Sequence, residues 1–237
     1  MLRKVSTSTL ILILLLGGIL AYAAEIYSEP ILFRGVEWGS TLAEATQMLP
    51  EGVEMYDLRE SERWYSIDDY MYTENGFGTY SGVLGGYIYA KSSSLEGMKV
   101  AGYDVDDIKM YFTYLPDDKG LLMKDEEHTA LIYAYYKIEP KDLDSAYNDL
   151  VDKLSSLYGD IDLMQHDSFM IDDRQSLWNG ADGTMVSVVS RDYGSTTGTK
   201  EIYIKYAFKG GDELLNKAYE ALVLEEKMNA GSNTEGL

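Results

Sequence analysis

The 237-residue chain contains no cysteine and only two histidines, and its 20 basic residues face 40 acidic ones. Without cysteine there are no disulfides, and a lipidated-cysteine anchor has no acceptor residue. A His/Cys zinc site is excluded too, because His128 and His166 are alone and neither sits in a metal-ligand spacing. The deficit of basic residues gives a formal charge of −20. Such a surface repels phosphate backbones and anionic lipid, so nucleic acid and membrane-surface partners are disfavoured. Also missing are a G-x-S-x-G elbow and a D-x-D-x-D-G calcium loop. His166-Asp167-Ser168 holds triad residue types, but adjacency in sequence is not triad geometry.

The apolar run near the start, Leu10 to Leu20, is too short to span a bilayer comfortably. It follows Arg3 and Lys4 and precedes Ala21-Tyr22-Ala23, the layout of a secretory signal peptide over residues 1–23. We therefore expect export to the medium or the cell-envelope space. Removing that segment takes away two basic residues and no acid, moving the formal charge from −20 to −22. An apolar content of 46% with 25% charged residues is that of a globular chain.

What the chain does have is tyrosine, 21 against 5 phenylalanines. Four segments alternate with a period of two, the signature of strands with two distinct faces. Tyr87 and Tyr89 lie opposite Leu84, Gly86, Ile88 and Ala90. Lys109 and Tyr111 lie opposite Ile108, Met110, Phe112 and Tyr114. Tyr133, Tyr135 and Lys137 lie opposite Ala130, Ile132, Ala134, Tyr136 and Ile138. Tyr203 and Lys205 lie opposite Ile202, Ile204, Tyr206 and Phe208. That alternation predicts antiparallel sheet with one face against helices. Further strands are expected around Met55 and Trp64, and a hairpin from Arg174–Trp178 to Thr184–Ser190.

Three helices are expected. Thr41-Leu42-Ala43-Glu44 is a capping-box pattern, with Leu42, Ala45, Met48 and Leu49 as the apolar face. A second helix follows Pro140, placed in its first turn, and carries Leu143, Ala146, Tyr147, Leu150, Leu154, Leu157 and Tyr158, with Gly159 closing it. A third, capped by Asp212, buries Leu214, Leu215, Ala218 and Leu222 and reaches Met228. Ile132-Tyr133 and Tyr136 are echoed 70 positions on by Ile202-Tyr203 and Tyr206, and AYNDLV at Ala146 by AYEALV at Ala218. The reading is an α+β protein in the order helix–strands–helix–strands–helix, from a duplicated strand-plus-helix unit. Its halves span residues 24–139 and 140–229, with a tail at 230–237. Gly76-x-Gly78 leads into a strand, not a helix, so it offers no dinucleotide-binding turn.

Phe33-Arg34-Gly35-Val36-Glu37-Trp38-Gly39 followed by Ser40-Thr41 has the form F-x-G-x-x-W-G-x-[ST]. It resembles the opening of exported, functionally uncharacterised bacterial α+β proteins. More loosely, the order of elements is similar to the helix-plus-sheet repeats of the β-lactamase inhibitor protein and of small outer-membrane assembly lipoproteins. The first of those uses disulfides and the second a lipidated cysteine, neither available here. The resemblance implies the fold and names no activity, apart from an inhibitor role by analogy.

Tyr87, Tyr89, Tyr111, Tyr133, Tyr135 and Tyr203 are the candidate binding residues. If their strands are neighbours they line one surface that offers stacking area and hydroxyls to a glycan or a protein partner. The competing expectation is that these rings are strand formers half-buried under a second layer. A homodimer burying the same face is a third outcome. No catalytic residue, metal ligand or cofactor is assigned. Acidic pairs at Asp68-Asp69, Asp106-Asp107, Asp117-Asp118, Glu126-Glu127 and Asp172-Asp173 leave calcium open. They also leave open a hydrolase of glycans, which needs two carboxylates roughly 5 to 10 Å apart. The leading expectation is an exported, non-enzymatic binding protein, with a carboxylate-based glycan hydrolase second and an enzyme inhibitor third.

Overall fold

A computed structural model describes residues 32–48, 54–56, 84–91, 97–167, 172–179, 185–194, 198–208 and 210–232. For 32, 54–56, 84–91, 163–167, 172–173 and 231–232 only the backbone is described. The expected signal segment, Trp64 and residues 233–237 lie outside these residues; residues 230–232 of the expected tail belong instead to the last helix, which runs to Ser232.

The first described elements form a tight hairpin, β1 (Leu32–Phe33) against β2 (Val36–Glu37). Its turn places Arg34 at φ 55° and Gly35 at φ 86°, the pair of positive values a two-residue hairpin loop requires. The hairpin drives Phe33, fully buried, against the rings of Tyr136 and Tyr206 at 4.8 and 5.7 Å. Trp38 stacks on Phe208. The F-x-G-x-x-W-G motif is thus a packing device. Helix α1 (Leu42–Met48) follows, closed by the reciprocal bonds expected of its capping box. The Glu44 amide donates to Thr41 Oγ1 (3.1 Å), and the Thr41 amide donates to Glu44 Oε2 (2.9 Å). Leu42 and Ala45 are buried, but Met48 is 55% exposed, so the helix is too short to bring its last turn onto the sheet.

The main sheet comprises β3 (Glu54–Tyr56), β4 (Leu84–Lys91), β7 (Asp107–Pro116), β9 (Thr129–Ile138), β10 (Leu163–Asp167), β11 (Asp172–Asn179), β12 (Met185–Asp192) and β13 (Lys200–Ala207). Short β8 (Leu122–Met123) pairs with β7, and β5 (Lys99–Val100) with β6 (Tyr103–Asp104). The spatial order is β10-β11-β12-β13-β9-β7-β4-β3, antiparallel throughout. That order is a palindrome of two four-strand meanders meeting at β9 and β13. At this seam Tyr135 lies directly opposite Lys205, and these two positions are themselves 70 residues apart. The sequence echo is therefore the trace of a local two-fold axis that passes through the Tyr135–Lys205 pair.

Helix α2 (Leu143–Tyr158) is nucleated as its sequence demands. Asp142 caps it by accepting from the Ser145 amide, and Gly159, at φ 89°, ends it. Pro140 lies outside the helix, before the cap at Asp142. Leu143, Ala146, Tyr147, Leu150 and Leu154 pack on β11–β13 in the larger of two apolar clusters. Helix α1 lies on that same face over β4 and β9. Helix α3 (Gly211–Ser232) covers the opposite face, through Leu215, Ala218 and Ala221 against Tyr111, Tyr133 and Ala207. Both sheet faces are thus covered by helix, not one. The counterpart of α2 in the other half is α1, so the echo of AYNDLV in AYEALV joins helices on opposite faces. Asp212 sits inside α3, not at its cap, and Met228 is 57% exposed.

Leu150 is fully buried at the centre of the α2 contact. Leu150→Ala is expected to cost about 2–5 kcal/mol in urea unfolding, from lost transfer and the residual cavity.

Candidate functional site

Registry brings the strands that bear the tyrosines to one face. Tyr87 pairs with Tyr111 and Tyr111 with Tyr133; Tyr89 pairs with Lys109, Lys109 with Tyr135, and Tyr135 with Lys205; Tyr203 pairs with Lys137. Directly opposite residues point to the same side. The side chains of Tyr87 and Tyr89 lie outside the description. The other four form a continuous run of rings: Tyr111 to Tyr133 at 5.5 Å, Tyr133 to Tyr135 at 6.2 Å, and Tyr135 edge-on to Tyr203 at 5.3 Å. Aromatic pairs favour tilted and edge-to-face contacts at these separations.

The run has a closed end and a more open end. Tyr111 and Tyr133 are 3% and 2% exposed beneath α3, where Ala218 and Ala221 let the helix approach the rings closely. These two rings are core. Tyr135 and Tyr203 lie beyond the buried centre of the helix contact and are half-buried.

Around Tyr203 the face is polar and closely bonded. Its hydroxyl donates to Glu201 Oε2 at 2.6 Å. Lys137 Nζ sits 2.7 Å from Glu201 and 2.8 Å from Glu139. Burial opposes the Lys137 charge, but those two hydrogen bonds outweigh it and raise the ammonium's pKa above the usual lysine value. Burial pushes the Tyr135 and Tyr203 phenols up, and the Glu201 bond adds to the rise at Tyr203, so both stay protonated donors. Lys205 Nζ lies 5.7 Å and the Arg191 guanidinium 5.3 Å from the Tyr203 ring centre. Lys205 is only 3% exposed, and desolvation lowers its pKa from 10.5 to about 7. The sequence placed Lys205 and Lys109 on the tyrosine side of their strands. It gave no signal of depth, because depth at Lys205 is set by neighbouring strands remote in sequence.

A concavity of about 490 Å³ lies at the start of α2. Its walls carry Asp104, Asp106, Glu139 and Asp142, with Tyr103 and Ser145. Burial raises the pKa of Asp106 even though its carboxylate accepts from the Glu139 amide at 2.7 Å. The Tyr103 hydroxyl, raised to about 12 by burial and by its bond to Asp149, is a fixed donor. Asp142 is engaged as the cap of α2 and Asp104 pairs with Lys99 at 2.8 Å. Among the described residues no group of three or more His, Asp or Glu side chains is placed to hold a metal ion. His128 is a surface residue bonded to Asp125 at 2.7 Å; the side chain of His166 lies outside the description.

The fold and these two surfaces define an α+β protein built from two helix-and-meander units with a partly covered aromatic face. No protein-family model, no curated protein and no solved structure matches the chain.

Between pH 7 and pH 10 an unfolded chain keeps the Lys205 proton while the folded protein gives it up. Unfolding is then linked to proton uptake, and stability rises with pH across that window. Lys205→Met removes the buried charge. Its thermal midpoint is expected to exceed the parent's at pH 7, by an amount worth a few kcal/mol at most. The pH 7–10 rise should flatten, and an unchanged slope in calorimetry would refute this account of the lysine.

Proposed function

We propose that the protein is an exported, non-enzymatic binding protein, and that the Tyr135–Tyr203 end of the aromatic run receives a glycan or protein partner. The observation that carries this reading is the change in exposure along one row of rings. Its base is locked beneath α3, while its far end is half-buried beside Lys137 and Arg191, with Lys205 buried next to it. Rings held in this way present contact area at little entropic cost, as aromatic anchors of binding surfaces do. The signal-type N-terminus and the acidic, soluble composition support export.

Separate substitutions test it. Tyr135→Ser with Tyr203→Ser is expected to keep the fold and to lower affinity at least tenfold on an arrayed panel of cell-wall glycans and surface proteins. Tyr111→Ser with Tyr133→Ser is expected to unfold the protein. Undiminished binding by the first pair would remove the surface from consideration.

One observation favours a second reading, a carboxylate-based glycan hydrolase. The cavity at α2 holds several carboxylates, and burial raises the pKa of Asp106, as the general acid of such an enzyme requires. On this reading Asp106→Asn and Glu139→Gln each abolish release of reducing sugar from cell-wall polysaccharide. Parent protein that releases none dismisses it.

A further inference from the structure

Part of the lining of the concavity beside α2 does not belong to the main sheet. Gly102, Tyr103 and Asp104 come from the β5–β6 hairpin, and Glu139, Pro140 and Ala146 from the passage between β9 and α2. Among the described residues the hairpin pairs with no other strand. Two strands alone are marginal in water, so its position depends on what it docks against. It is nonetheless built to move as a unit. Ala101 at φ 50° and Gly102 at φ 91° form its two-residue turn. Across its strands Lys99 Nζ meets Asp104 at 2.8 Å, and at its base the Val105 amide donates to the Met98 carbonyl at 3.1 Å. Gly97, at φ 78° with open space around it, supplies a pivot at the first end. At the second end the Asp106 amide is fixed to the Lys137 carbonyl at 2.9 Å.

The hairpin is held down by two residues one turn apart on α2. The Tyr103 hydroxyl donates to Asp149 Oδ2 at 2.7 Å. Lys153 Nζ donates to the Ala101 carbonyl at 2.8 Å and to the same Asp149 oxygen at 2.6 Å. It also lies 5.3 Å from the centre of the Tyr103 ring. The side chains of Asp149 and Lys153 are 42% and 43% exposed, so water competes for these bonds and each is weak. The hairpin's buried apolar contribution is small: Val100, Ala101 and, at its base, Val105. We propose that the β5–β6 hairpin is a gate on the concavity, closed onto α2 by Asp149 and Lys153 and opening when those bonds release. Opening withdraws Gly102, Tyr103 and Asp104 and uncovers Ala146, which is 3% exposed in the closed form. The gate acts on whatever the concavity receives, so it stands apart from both functional readings above.

The chain has no cysteine, so Ala146→Cys places a single thiol in the lining, and the full chain can be labelled there with N-ethylmaleimide. A buried thiol is inert, so the labelling rate reports opening. Asp149→Asn and Lys153→Met are each expected to raise that rate about fivefold, the scale of one partly solvated ion pair. The rate should hardly change with urea below the unfolding transition, because a local opening exposes little surface. Lys217→Met, which breaks an exposed pair with Glu213 on α3, should leave it unchanged. Labelling indifferent to both latch variants overturns the gate. So does equal acceleration by Lys217→Met, or a urea dependence as steep as that of global unfolding, since the hairpin then opens only with the whole fold. If Ala146→Cys does not fold, hydrogen exchange of the cysteine-free Asp149→Asn chain decides. Amides 99–104 should exchange about fivefold faster than in the parent while those of β9 stay unchanged, and equal exchange at 99–104 overturns the proposal.

Discussion

The pairing of β9 with β13 is the contact on which the rest of the molecule depends. It joins the last strand of each meander, so it alone makes one sheet of two. Placing Tyr135 opposite Lys205 sets the axis that relates the halves. A slip of one residue would reverse every side chain on one half relative to the other, sending Ile202, Ile204 and Tyr206 out of the core. Phe33 guards the register from the other face. It is fully buried against Tyr136 and Tyr206, whose rings meet edge to face at 6.2 Å. An N-terminal hairpin thereby fills the space where the two equivalent tyrosines come together.

Near-symmetry in the sheet is broken by its helices. On one face α1 and α2 sit in equivalent places, although α1 has 7 residues and α2 has 16. On the other face α3 buries itself on β7, β8 and β9. That choice separates tyrosines of equal sequence character into different physical roles. Tyr133 and Tyr203 are equivalent under the 70-residue echo, yet Tyr133 is 2% exposed under α3 while Tyr203 is half-buried and bonds Glu201. Equivalent positions of the two meanders carry the same aromatic residue, and α3 turns one of them into core.

Much of this architecture was legible in the sequence because local chemistry decides it. Period-two alternation located β4, β7, β9 and β13. The Thr41–Glu44 box and the Asp142–Gly159 boundaries follow from caps that need no distant partner. The misplacements share one cause. Met48, Met228 and the two-sided covering of the sheet depend on where a helix ends relative to strands far away in the chain, which no periodicity reports. The same limit applied to the site. Alternation put the tyrosines on one side of their strands, and the described rings of Tyr111, Tyr133, Tyr135 and Tyr203 do form one run, but whether a ring there meets helix or water is a tertiary fact. Gln175 gave no signal at all, since its place in the row of Val189 and Tyr203 comes from β11 pairing with β12 and β12 with β13.

The polar half of that face is costly in folding terms, and the cost constrains what it is for. A hydrophobic side chain at Lys205 would avoid burying an amine, and one at Gln175, whose buried Nε2 has no hydrogen-bond partner, would avoid an unanswered donor. Neighbouring positions show that the fold accepts such residues, because Val189 is buried in the same row and Ala207 two residues along the same strand. The stability lost at Lys205 and Gln175 is concentrated beside Tyr135 and Tyr203, the two half-buried rings, and not under α3. Polar groups that weaken a fold where apolar ones would fit are characteristic of surfaces shaped for a ligand. That coincidence, more than the number of tyrosines, supports the binding role proposed for the half-buried end of the row, while its covered end belongs to the core.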